Sequence, residues 1–133
     1  MITAVHTLVY SDDPTATRAF FKDVLSWPFA SEGETEDPAE WLIFGTGPSE
    51  LGVHPTSGEH EGQTWTSPRH HAIAVMCDEL DPTIAELRGR GAEIGETREM
   101  GFGRGALLTV PGADDMLIYE PKHAVAYHLG RVE

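Results

Sequence analysis

The chemistry-bearing residues of this chain are its histidines and a few carboxylates. Seven histidines in 133 residues raise the question of a metal. His6 lies in the first alternating apolar segment, His71 opens a second such segment 65 residues later, and Glu120 ends the last one. Two imidazoles and one carboxylate suit a divalent ion such as Fe, Mn, Ni or Zn, with positions left open for water or substrate. Each also has a purely structural alternative. A strand histidine is commonly a packed or surface residue, and Glu120 can be solvated or paired with Lys122. His70 and His71 face opposite ways on a strand, and alternation with Ile73 and Val75 favours His71 as the inward one. Glu50 and His54 share a strand face with Gly52, as a further ligand, a substrate contact or a proton-transfer group.

Other groups are less pointed. Gly101-Phe102-Gly103-Arg104-Gly105 is no phosphate loop, since it lacks Lys-Ser/Thr and opens no helix; its glycines suit a hairpin bend. Arg104 can hold an anionic substrate or stand free on the surface. Tyr10, Trp41, Phe102 and Tyr119 line a cleft or fill a core. Cys77 reads as inert packing, with no base near it in sequence. No Gly-x-Ser-x-Gly elbow supports a serine nucleophile.

These residues need elements to position them. Residues 2–11 alternate as a strand. Asp13-Pro14 opens a helix with a side-chain cap and a proline at its first position, and Ala16, Ala19, Phe20 and Val24 form its apolar stripe before Trp27-Pro28. Residues 30–39 read as an acidic loop, 41–44 and 50–54 as short strands, and 56–69 as a linker. The pattern then restarts: a strand from His71, a helix at Asp81-Pro82 with Ile84 and Leu87 inward, strands over 93–100 and 106–110, and a last strand over 116–120. Asp13-Pro14-Thr15 recurs as Asp81-Pro82-Thr83, 68 residues on. Two copies of one strand–helix–three-strand unit are expected, about 1–55 and 70–121, with a tail over 122–133. Each would leave a sheet face bare alone, so the halves should pack together or against a partner chain.

Composition bounds the function. The length predicts one domain. Nine Lys+Arg against 22 Asp+Glu give a net charge of −13, which argues against nucleic acid and anionic membrane as partners. One cysteine excludes an internal disulfide framework. No apolar run approaches a bilayer span and the start lacks a leader pattern, so a cytoplasmic protein is expected.

His6-Thr-Leu-Val-Tyr-Ser-Asp-Asp13 with Ala16–Leu25, His71–Asp81 with Ile84–Gly91, and Leu107–Pro121 resemble the vicinal oxygen chelate superfamily over about residues 2–122. That superfamily includes glyoxalase I, bleomycin-resistance proteins, fosfomycin-resistance transferases and extradiol dioxygenases. The resemblance implies an α+β fold of two βαβββ modules whose curved mixed sheet surrounds a central cleft, and a homodimer. It places metal ligands at His6, His71 and Glu120, with a further ligand position near Glu50. It implies lyase, isomerase or dioxygenase chemistry on a small oxygenated molecule through an enolate-like or oxyanion intermediate, with Glu50 or His54 the candidate to move the proton; Tyr10, Phe102 and Arg104 are the candidate substrate contacts. The alternative it carries is a metal-free binding protein that sequesters a small molecule in a dimer cleft, and an acidic chain suits a cationic one. A scaffold acting through protein contacts is a third possibility. This chain departs from the pattern in two ways: Ser26 stands where glycine is usual after the first helix, and no Lys/Arg cluster is present to grip a phosphonate or glutathione.

Overall fold

The computed structural model describes residue 4 and residues 6–129. Its best-formed part is the second half. Strand β5 (Ala74–Met76), helix α2 (Leu80–Gly89), β6 (Arg98–Met100), β7 (Gly103–Leu108) and β8 (Met116–Pro121) build a mixed sheet in the order β5-β8-β7-β6. β5 runs parallel to β8, and the other pairs are antiparallel. The predicted strand–helix–three-strand unit is thus present here, with the first strand shorter than expected: His71 precedes β5 and is exposed.

Register assigns the two faces of this sheet. Opposed residues on antiparallel strands share a face, and Ala106 pairs with Ile118, Leu108 with Met116. These four are buried with Leu80, Ile84 and Leu87 of α2, so this is the helix-covered face. Gly105 opposite Tyr119 and Leu107 opposite Leu117 belong to the other face.

In the first half, α1 (Pro14–Ala19) begins as expected. Asp13 Oδ1 accepts from the Ala16 N–H at 3.1 Å and Pro14 occupies the first turn. Phe20–Val24 continues as a wider π-helical turn, which brings Phe20 and Phe21 into the same apolar core as α2 and β8. The chain leaves this helix through Ser26 at φ 58°. β1 (Phe29–Ser31) and β2 (Leu42–Phe44) form an antiparallel pair. A polar seam also ties the halves together. The Asp12 N–H donates to the Gly112 carbonyl at 2.8 Å, and the buried Thr17 hydroxyl donates to the Pro111 carbonyl.

Three expectations differ from the structure. Residues 6–11 form no strand; an alternating segment becomes a strand only with a ladder partner, and among the described residues none pairs with it. Residues 50–54 likewise carry no strand. The segment expected as a linker instead holds a hairpin, β3 (Ser57–His60) and β4 (Gln63–Thr66). Its two-residue turn puts Glu61 at φ 51° and Gly62 at φ 78°, the positive-φ pair that matches strand twist.

Candidate functional site

The three expected metal ligands are placed apart in role. His6 and His71 are exposed on segments outside the sheet ladders. Glu120 follows Ile118 by two residues and so shares the helix-covered face. There its Oε1 accepts from the Leu80 N–H at 3.1 Å, at the first residue of α2, where a carboxylate meets free amide donors and the positive end of the helix dipole. Among the described residues no three His, Cys, Asp or Glu side chains form a group able to hold a metal ion.

Arg104 lies on the same face, opposite Glu120. Its guanidinium is held by Asp81 at 2.9 Å and Glu99 at 3.7 Å, and a guanidinium so engaged is not free for an anion. His54 turns to the hairpin, its ring 5.0 Å from that of Trp65 and its Nδ1 2.8 Å from the Pro55 carbonyl. Tyr10 is 87% exposed. Cys77 is half-buried; burial foremost, and then the nearby Glu120 and Asp78 carboxylates, push its thiol above the ordinary value against a hydrogen bond with Thr83. It stays a protonated, weakly nucleophilic group.

The groups that do converge lie on the face away from α2. Tyr119 is the centre. Its phenol donates to His123 Nε2 at 2.8 Å, and Phe102 meets its ring edge-on at 5.4 Å. His123 Nδ1 lies 2.8 Å from the Ala124 carbonyl, an acceptor only, so Nδ1 donates there and Nε2 is the nitrogen that faces the Tyr119 phenol. Glu50 completes the group, with Oε1 3.7 Å from His123 Nε2. Burial first, and the Glu50 charge second, raise the Tyr119 phenol above its ordinary value of 10.0, so it remains a neutral donor. Glycines make the space: a Cβ at Gly105 would stand 2.8 Å from Tyr119 Cβ and 2.6 Å from the Ile118 carbonyl oxygen.

Of the expected site residues, then, Glu50 and Phe102 are brought together, and they meet Tyr119 and His123. Tyr119 was legible as a cleft aromatic. His123 carries a weaker signal, a histidine two residues past Pro121 at the end of β8.

A sequence profile of the Glyoxalase/Bleomycin resistance protein/Dioxygenase superfamily matches residues 3–123. The chain belongs to this superfamily and has its glyoxalase-like α+β fold. Among solved structures it is similar to an antibiotic-binding protein from Streptomyces sp. CB03234, at 15% identity and TM-score 0.56 over 91% of this chain and 98% of that one. It is also similar to a lactoylglutathione lyase from Agrobacterium tumefaciens, at 15% identity and TM-score 0.57 over 90% and 94%. A superfamily member from Sphaerobacter thermophilus has 15% identity and TM-score 0.53 over 90% and 98%. No curated protein sequence matches the chain. Likeness at this identity establishes the fold; one neighbour is a binder and one an enzyme, so the activity must be argued from the site.

Proposed function

We propose that this chain is a metal-independent small-molecule-binding member of its superfamily, with the ligand resting on the sheet face away from α2. The observation that supports this reading is the convergence of Tyr119, His123, Glu50 and Phe102 there, with His6 and His71 exposed outside the sheet ladders. Glu120 caps a helix, and no three donors gather among the described residues.

The site's chemistry names a ligand class. Phe102, 44% exposed, offers a ring for apolar contact. The Tyr119 phenol supplies a hydrogen bond, taken by His123 when no ligand is bound. Glu50 supplies negative charge, reinforced by the chain's net −13, which attracts cations at long range. A flat aromatic cation satisfies all three features. The similarity to an antibiotic-binding protein accords with sequestration, a function that asks only for a shaped, complementary face.

The test is a fluorescence titration with the cationic aromatic dye thioflavin T in the presence of a chelator. The parent chain should bind, and Glu50→Gln should bind at least about tenfold more weakly, the equivalent of losing a contact to a charged group worth about 1.5 kcal/mol. Binding that requires added metal would contradict the reading.

A homodimer belongs to the same reading. Leu8, Tyr10, Trp41, Ile43, Leu51 and Val53 are all exposed in the first half, and segments 6–11 and 50–54 lack ladder partners among the described residues. Exposed apolar residues beside unpaired backbone suit a second copy of the chain.

A further inference from the structure

Tyr119 is on the sheet face away from α2, yet it is only 8% exposed. Part of its cover is the segment that follows β8. The Lys122 N–H donates to the Phe102 carbonyl at 2.8 Å, with the His123 N–H 3.3 Å from the same oxygen, so the chain turns back at the β6–β7 hairpin. His123 then takes the Tyr119 phenol at 2.8 Å. Three residues on, the Ala126 N–H donates to Glu50 Oε2 at 2.6 Å. The segment therefore uses both polar groups that the proposed ligand would use. No residue of 122–129 belongs to the apolar core. It is held by a few polar contacts, worth about 1 kcal/mol net each and about 1.5–3 kcal/mol for the one to the Glu50 carboxylate, and contacts of that strength can open without unfolding the sheet.

We infer that residues 122–129 are a strap latched on Tyr119 and Glu50, which competes with the ligand for these two groups and so sets the apparent affinity of the site. This inference rests on the binding reading above. A strap closed nine-tenths of the time would weaken apparent affinity about tenfold, because only the open fraction is competent. Charge selects what displaces it: a cationic ligand offers Glu50 an opposite full charge in place of an uncharged amide donor.

The variant that isolates the latch is Ala126→Pro, which removes the donor to Glu50 and leaves Glu50, Tyr119 and His123 untouched. Ala126→Pro and a chain ending at Lys122 should bind thioflavin T about tenfold more tightly than the parent, with unchanged thermal unfolding. Equal affinity in all three would overturn the competition. Amide hydrogen exchange reports the latch without any ligand. The Ala126 amide should exchange slowly in the parent and at the free-peptide rate in Glu50→Ala; free-peptide exchange in the parent would overturn the strap. If no chain binds the dye, the binding reading fails, and the exchange rate of Ala126 still supports or overturns the latch by itself.

Discussion

Tyr119 shows how a single position is fixed by its neighbours rather than by its own type. Its ring has room because Gly103 and Gly105 lie beneath it. Gly105→Ala should therefore overpack the sheet at a site where backbone, not a flexible side chain, is the obstacle. The expected loss is about 1–3 kcal/mol, read as a lower urea midpoint with unchanged slope. The raised phenol also has a stability consequence. The folded state holds the Tyr119 proton more tightly than the unfolded chain does, so the contribution is fully present below the unfolded value near 10 and is lost as pH rises through the folded value. In alkaline titration of tyrosinate absorbance, one of the three tyrosines should ionise later than the others, and Tyr119→Phe should remove that late component. Why the sequence pointed to Glu120 and not to its neighbour has a physical answer. On β8, Met116 and Ile118 alternate with Leu117 and Tyr119, so both faces are apolar and a two-residue period cannot say which one packs beneath the helix. Register against β7 decides it.

At the scale of elements, legibility tracked how much of the signal was local. The start of α1 was readable because its cap is local, Asp13; α2 was readable from Ile84 and Leu87 at helical spacing, while its cap, Glu120, comes from a distant strand. The β3–β4 hairpin was not, because its strands are exposed on nearly every residue and show no alternation; only Gly62 marked the turn. The extended segments 6–11 and 50–54 failed as strands because pairing is non-local. Two element-scale outcomes follow. Ser26 occupies a left-handed position at a helix end, which glycine adopts without steric cost. Ser26→Gly should raise stability by about 0.5–1 kcal/mol, measured by denaturant unfolding. Glu120 acts as an anionic cap for α2; Glu120→Ala should cost about 1 kcal/mol while leaving the zinc bound per chain on equilibrium dialysis unchanged. A stoichiometric drop in bound zinc would restore Glu120 as a ligand.

For the whole molecule, the superfamily and fold were legible because segments of both halves carry the superfamily's residue pattern, and the superfamily profile spans 3–123. The division of labour between the halves was not. The second half forms a four-stranded mixed sheet, whereas the first contributes the Phe20–Val24 turn and Phe44 of β2 to the shared core and keeps apolar residues such as Val53, 94% exposed, on the outside. The homodimer reading predicts a sedimenting mass twice the 14.5 kDa of the chain, and Leu51→Glu with Val53→Glu should shift it towards the monomer.

The binding face is the centre of this account, and one titration addresses it most directly: thioflavin T against the parent, His6→Ala and Glu50→Gln chains, all with excess chelator. The account predicts that the parent and His6→Ala bind with the same affinity and that Glu50→Gln binds at least about tenfold more weakly, the loss expected of a charge-assisted contact. Binding that disappears in chelator, or in His6→Ala while Glu50→Gln is unaffected, would contradict it and return the site to a metal centre.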